Sequence, residues 1–441
     1  MVHLGVGNFF RAHQAWYTEH ASDAADWGVA AFTGRSRGTA EALNAQDCLY
    51  TLLLRHESRA VPEVIGAISA VHAGSDLESL RQYLASPAVA VVTLTVTEAG
   101  YCRYQDGGLD VRSPRVHGDI TALCGDAPPD RLATVPGRLV AGLDGRRVTG
   151  AGPLAVVSCD NLPDNGDTTR RVVTDLARRV DRSLAEWIAD EVSFVTTVVD
   201  RITPGTADED RAEALALTGV DDPALVVTEP VSEWVLCGGF PAGRPAWETS
   251  GARFVEDARP FEARKLWLLN GAHSLIAYAG SILGHATVAD AVADPQVRSW
   301  VQEWWDCASR HIPLPGEDLA AYRGALLDRF ANPAVRHRLD QIAIDGSLKI
   351  PLRAIPVVRA ERGEERLPTG AARLLAGWIA HLRGLGAPVH DVEAARLIRL
   401  ARGSARAGTV AVLDWLGVDD SDVVELVARE LELLERLGHR S

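Results

Sequence analysis

MVHLGVGNFFRAHQAWYTEH, residues 1–20, is the stretch on which the fold turns. An apolar run over residues 2–6 meets Gly5-Val6-Gly7, and a helical pattern follows over residues 10–22. A glycine here permits a tight strand-to-helix turn, and a second lets the backbone approach a pyrophosphate. The third glycine of the GxGxxG pattern is replaced by Phe10, so a plain strand-to-helix turn reads equally well in isolation. Its place on the first strand of an alternating chain favours a dinucleotide site.

Further apolar runs lie at residues 27–33, 88–97, 154–159 and 192–199, several rich in β-branched residues. Near-continuous apolar strands suit a sheet covered on both faces. Residues 168–189, between the last two runs, carry Val172, Leu176, Val180, Leu184 and Ile188 at every fourth position, which is one apolar helix face. Strand, helix, strand in that order predicts right-handed βαβ units. Beyond residue 255 the strand signal fades. Residues 262–282, 297–309, 318–330, 371–383, 392–402 and 422–437 read as helices. The expected fold class is therefore α/β: a Rossmann-type, mainly parallel sheet domain over residues 1–254, then a mainly α-helical domain over residues 255–441. Residues 107–152 and 203–246, rich in turn formers, are expected to be irregular.

The chain has 441 residues, of which 47% are apolar and 24% charged. At about 150 residues per domain this predicts two or three domains and excludes a disordered or fibrous chain. The formal charge of −14 disfavours a nucleic-acid or membrane-surface partner. The six cysteines show no CxxC spacing and no metal-ligand spacing with histidine, so no metal is expected and the thiols read as reduced, in a cytoplasmic protein. No secretory leader pattern and no long uncharged apolar window is present.

The second strand ends in Thr33-Gly34-Arg35-Ser36-Arg37, with no acidic residue to grip an adenosine ribose. Arginine in that place either accepts a 2′-phosphate, which leans toward NADP, or faces solvent. Lys265-Leu-Trp-Leu-Leu-Asn270-Gly-Ala-His273-Ser places three polar groups in an apolar helix. At α-helical spacing Lys265 and His273 lie about 80° apart, Asn270 and His273 about 60°, and Lys265 and Asn270 further apart. A desolvated lysine loses ammonium character and becomes a base near neutral pH, whereas one that reaches solvent does not. Thr97-Glu98, Ser158-Cys159-Asp160-Asn161 and Val199-Asp200-Arg201 close three strands, where a parallel sheet binds ligands and where caps and turns also gather.

GVGNFFRAHQAWYT, VTEAGY, SCDNLPDNG, VVDRITP, KLWLLNGAHS and DGSLKIPLR, spread from residue 4 to about 353, together resemble the polyol-specific long-chain dehydrogenase/reductase family, the mannitol dehydrogenase group. Relatives often carry a short extra N-terminal stretch. The resemblance implies a metal-independent oxidoreductase that interconverts a secondary alcohol and a ketone on an open-chain sugar acid or polyol, with NAD as cofactor and NADP open because of Arg35 and Arg37. It implies Lys265 as general base, Asn161 and Asn270 as amides holding the reacting oxygen, His273 and Asp200 as groups for the substrate hydroxyls, and Glu98 as a carboxylate passing the proton onward. Gly5, Gly7, Asn8, Phe9 and Phe10 fall on the family's own GxGNF loop, and Arg35 and Thr97 complete the expected cofactor contacts. VTEAGYC and RFANPAVRHRLDQIAIDGSLKIPLR look closest to the fructuronate reductase (mannonate oxidoreductase) branch, ahead of mannitol/fructose and arabinitol. A hexuronate brings a carboxylate, for which Lys349 and Arg353 are the expected partners. A non-catalytic nucleotide-binding protein and a lyase or epimerase are the rival classes. Monomer and small homo-oligomer both stay open.

Overall fold

The computed structural model describes residues 1–34, 38–104, 107–125, 127–335 and 337–438. The chain divides into two units, Met1–Ala258 and Arg259–Ser441.

The first unit is built on eleven strands: β1 (Val2–Leu4), β2 (Val29–Phe32), β3 (Tyr50–Arg55), β4 (Ala60–Ile65), β5 (Ile68–His72), β6 (Val91–Leu94), β7 (Leu154–Ser158), β8 (Val192–Asp200), β9 (Val226–Thr228), β10 (Glu233–Cys237) and β11 (Arg253–Phe254). Eight form one sheet in the order β11-β10-β8-β7-β6-β1-β2-β5, and β4-β3-β9 form a small second sheet. From β5 to β8 every pairing in the large sheet is parallel. β10 then runs antiparallel to β8, with Glu233 opposite Asp200. Alternate strand residues serve two cores. Val29, Ala31, Val91, Ala155 and Val157 pack on one face, and Val2, Leu4, Val92, Leu94 and Val156 on the other. That two-sided burial is why the strands read as unbroken apolar runs. β1 lies between β2 and β6. The strand order reverses there, so the carboxyl ends of β1 and β6 flank the natural ligand crevice of such a sheet.

Several sequence expectations are corrected. The helix expected over 10–22 is two helices, Asn8–Ala12 and Gln14–Glu19, broken at His13 with φ −121° and ψ −86°. The helix expected over 168–189 is also two, Asn165–Val180 and Arg182–Glu191. Asp181 between them is extended and caps the second through the Ser183 amide at 2.8 Å. The region 107–152 is not irregular but holds helices Pro114–Leu123 and Val135–Thr149. Its prolines Pro114 and Pro136 stand in first turns, where the missing N–H costs nothing. The region 203–246 holds helix Asp208–Thr218 as well as β9 and β10.

The second unit is helical around a core rich in tryptophan, with Pro295–Ser309, Thr369–Leu382 and Ser421–Gly438 packed together. Among the described residues no helix is long and apolar enough to cross a membrane. The segment expected as one α-helix over 262–282 is instead α-helical at Arg259–Arg264, π-helical at Lys265–Gly271, α-helical at Ala272–Leu275 and π-helical at Ile276–Gly280. A change of hydrogen-bond span from four residues to five disturbs the pairing of backbone carbonyls, which a buried helix must satisfy otherwise. Two indoles do so. Trp304 Nε1 donates to the Trp267 carbonyl at 2.8 Å, and Trp305 Nε1 donates to the Leu268 carbonyl at 2.7 Å. Gly271 admits the first, because a Cβ there would stand 2.5 Å from the Trp304 ring.

Trp305→Phe keeps the aromatic bulk and removes one donor, so it is expected to cost about 1–3 kcal/mol in urea unfolding. An unchanged midpoint would show that the indole bond does not support the π segment.

Candidate functional site

The first unit has a cleft of about 360 Å³ at the carboxyl ends of β1, β2 and β6, lined among others by Gly5, Gly7, Thr33, Thr95, Thr97 and Arg138. Gly5 has φ +108°, and a Cβ on it would lie 1.9 Å from the Thr95 carbonyl oxygen. Only glycine fits that turn. Gly7 is different: the nearest atom to a Cβ there is the Gly5 oxygen, 4.0 Å away. Protein packing leaves that space open above the turn. His3, which sequence reasoning missed, props the turn from below. Its Nε2 donates to the Gly5 carbonyl at 3.0 Å, its Nδ1 meets Thr93 Oγ1 at 2.8 Å, and its ring stacks on Phe10 at 3.5 Å. Burial holds His3 neutral by lowering its pKa to about 3. Phe10 is therefore a buried support of the loop. Asn8 accepts from Arg11 at 2.7 Å, and Phe9 packs against His13 at 5.0 Å. Arg35 lies outside the described residues. Arg115 and Arg138, which also line the cleft, give it positive charge. An open glycine turn, a crevice at the switch of strand order and two cations fit a dinucleotide with its phosphates.

The end of β6 is strained. Thr97 has φ +64° and ψ 163°, a conformation rare for a β-branched residue. Asp160 holds it there. Its two carboxylate oxygens accept the Val96 amide at 3.0 Å and the Thr97 amide at 2.8 Å. Tyr101 donates its hydroxyl to the same carboxylate at 2.6 Å and accepts from Ser158 Oγ at 2.5 Å. Burial pushes the Asp160 carboxyl above its ordinary range, against the lowering effect of these donors. The arrangement sets Glu98, first residue of the 3₁₀ turn Glu98–Tyr101, at the surface beside the cleft residue Thr97. Asn161 follows Asp160 directly and is exposed. Asn165 ties this loop to β8 by donating to the Asp160 carbonyl at 3.0 Å and accepting the Thr197 amide at 2.9 Å. Asp200 ends β8 and is buried. Asp160 and Asn165 stood in the conspicuous SCDNLPDNG stretch, but nothing in a single sequence says which of its acidic and amide residues face inward.

In the second unit the π-helical turn changes the geometry expected of Lys265 and Asn270. In a turn closed by i→i+5 bonds, residues five apart stack on one face. Lys265 and Asn270, far apart around an α-helix, are five apart on this π-helix and share a face. His273 is buried in the α-helical turn that follows, with its ring 4.7 Å from that of Phe330 and 4.9 Å from that of His337. Arg353 donates through one nitrogen to the Asn270 carbonyl at 3.1 Å and to Ser274 Oγ at 2.9 Å. Burial lowers its pKa to about 10. Lys349 donates to the carbonyls of Ile342, at 3.1 Å, and Ile344, and burial followed by Arg353 lowers its pKa to about 8. Both expected carboxylate partners thus also brace their own unit. Burial first, then His337, Arg329 and Arg353, holds the His273 pKa well below its ordinary value; sequence reasoning did not single out His337 and Arg329.

Two family models match the chain: mannitol dehydrogenase Rossmann domain over residues 1–249 and mannitol dehydrogenase C-terminal domain over residues 257–432. The D-mannonate oxidoreductase of Escherichia coli (strain K12) is 38% identical over 399 residues, covering 87% of this chain and 80% of that protein. The crystal structure of a substrate-free D-sorbitol dehydrogenase superposes with a TM-score of 0.90 at 30% identity, covering 99% of this chain and 93% of the other. The Pseudomonas fluorescens mannitol 2-dehydrogenase, solved as a ternary complex with NAD and D-mannitol, superposes with a TM-score of 0.82 at 32% identity, covering 99% and 92%. The chain belongs to the mannitol dehydrogenase family.

Asp160→Asn removes one of two acceptors for the Val96 and Thr97 amides and is expected to lower stability by about 1–3 kcal/mol. Thermal melting checks it, and a melting temperature equal to the parent's would mean that Thr97 holds its conformation unaided. Gly5→Ala, with a Cβ inside the Thr95 carbonyl, should fail to accumulate as folded protein, judged by circular dichroism.

Proposed function

We propose that this NAD-dependent member of the mannitol dehydrogenase family oxidises a secondary alcohol of an open-chain sugar acid, D-mannonate, to the ketone, and runs the reverse reaction on fructuronate. The observation that carries the chemistry is the π-helical turn that puts Lys265 and Asn270 on one face. Alcohol oxidation needs a base for the hydroxyl proton and a donor for the oxygen that becomes negative. In the proposal Lys265, neutral before the transfer, takes the proton. The Asn270 side-chain amide donates to the same oxygen, while its backbone carbonyl is held by Arg353. Asn161 is the second amide donor, Glu98 hands the proton onward through water, and His273 and Asp200 receive hydroxyls of the substrate. When bound, the nicotinamide supplies the hydride acceptor. Gly5, Gly7 and Thr97, which line the cleft, would hold the dinucleotide, with Arg115 and Arg138 giving charge for its phosphates. Asn8, Phe9 and Phe10 shape the loop it rests on.

The substrate assignment is supported by the 38% identity to a D-mannonate oxidoreductase and by the cationic surroundings of His273, in which Arg329 and Arg353 act on the ring. A polyol reading, mannitol to fructose, is favoured by the solved relative that holds D-mannitol.

Purified protein mixed with NAD and D-mannonate should raise absorbance at 340 nm faster than with D-mannitol, arabinitol or NADP. Greater turnover on D-mannitol would replace the sugar-acid assignment. Lys265→Ala is expected to lose about 10²–10⁴-fold in kcat while NADH affinity, followed by fluorescence, stays near the parent value. Parent-like turnover in that variant removes the lysine from the role of base.

A further inference from the structure

His337 is a residue that the proposed mechanism does not use, yet its setting is that of a ligand-binding group. It lies in an extended segment whose place is fixed by backbone pairing: the Val288 amide donates to its carbonyl at 2.9 Å, and Arg338 and Thr287 form an antiparallel bridge. This pairing brings its ring edge-on to His273, centroids 4.9 Å apart and planes at 83°. Each ring holds a buried nitrogen without a hydrogen-bond partner among the described residues, Nε2 of His273 and Nδ1 of His337. A buried polar atom left unmatched costs about 1–3 kcal/mol, so two in one perpendicular pair of rings are costly unless something else binds them.

The charges near the pair indicate what that is. Those that act on His273 are Arg329 and Arg353, beside His337 itself, and the one that acts on His337 is Arg329. Burial first, then Arg329, takes the His337 pKa to about 4, so the ring is neutral at neutral pH. Two neutral imidazoles near two arginines offer N–H donors and no charge of their own. An anion gains from both the arginines and the donors, because hydrogen bonds to an ionised acceptor are about twice as strong as neutral ones. A hydroxyl gains from the donors alone.

Resting on the sugar-acid reading above, we infer that His337 is a specificity-determining residue that, beside the hydroxyl-binding His273 and near Arg329, receives the carboxylate of the substrate and so selects a sugar acid over a polyol. This moves carboxylate recognition away from Lys349 and from the arm of Arg353 that is bonded inside the unit.

The test uses the full-length enzyme with saturating NAD, comparing D-mannonate with D-mannitol for the parent, for His337→Phe, which keeps a ring of similar size, and for His337→Asn, which keeps a polar group. For His337→Phe the expected result is a fall in kcat/KM on D-mannonate of about 10–100-fold, the size of one hydrogen bond to a charged group, carried mainly by KM. On D-mannitol the change should stay within about threefold, and His337→Asn should recover part of the D-mannonate loss. A role in packing alone would depress both substrates equally, and that result overturns the assignment, as does an unchanged ratio. Should His337→Phe not fold, the substrate ratio of His337→Asn decides. A parent enzyme that turns over D-mannitol but not D-mannonate overturns the sugar-acid reading itself. A parent active on D-mannonate with variants of unchanged preference overturns only the role of His337.

Discussion

The structure depends on a backbone irregularity held in place from outside. A π-helical turn is less favourable than the α-helix it interrupts, so it persists only where the surroundings compensate its carbonyls. Here three side chains from two other helices do this. Trp304 and Trp305 donate to carbonyls at the start of the π segment, and Arg353 donates to the carbonyl of Asn270 near its end. The consequence is geometric: the wider turn gathers an amine and an amide, five residues apart, onto one side of the helix. Core packing in the second unit and the placing of its polar groups are the same event.

The first unit shows the same economy in another form. Its parallel sheet supplies rigid strand ends, and two of those ends carry backbone that ordinary residues avoid. At β1 the answer is a glycine, Gly5, seated against Thr95 with His3 beneath it. At β6 the answer is a buried carboxylate, Asp160, that pins the positive φ of Thr97 through two amides. Glycine removes the steric cost of such a conformation. The carboxylate leaves the cost and offsets it with charge-assisted bonds, at the further expense of a buried charge that Tyr101 and two amides must solvate.

How much of this was legible beforehand follows from the range of each interaction. The strands β1, β2, β6, β7 and β8 stood out because burial on both faces imposes apolar runs that local composition reveals. β3, β4 and β5 do not stand out in the sequence, and β9 and β10 lie in a stretch whose turn formers read as irregular. Pro114 and Pro136 misled because proline marks both a break and a first turn, and only the following residues' burial tells which. Lys265, Asn270 and His273 were visible as polar groups in an apolar helix. Their mutual geometry was not, since α spacing set Lys265 and Asn270 apart and the π register reverses that.

Local pattern and resemblance determined the class of fold, the glycine turn at residues 5–7, the polar triad on one helix and the family. These rest on periodicity and on short motifs, which neighbours in the chain carry among themselves. Tertiary structure alone decided the π register, the seating of Thr97 on Asp160, and the meeting of His273 with His337. Each joins residues that the chain separates by dozens of positions; the first two are settled by whether a buried donor finds an acceptor and the third by the packing of two rings, which no local pattern records.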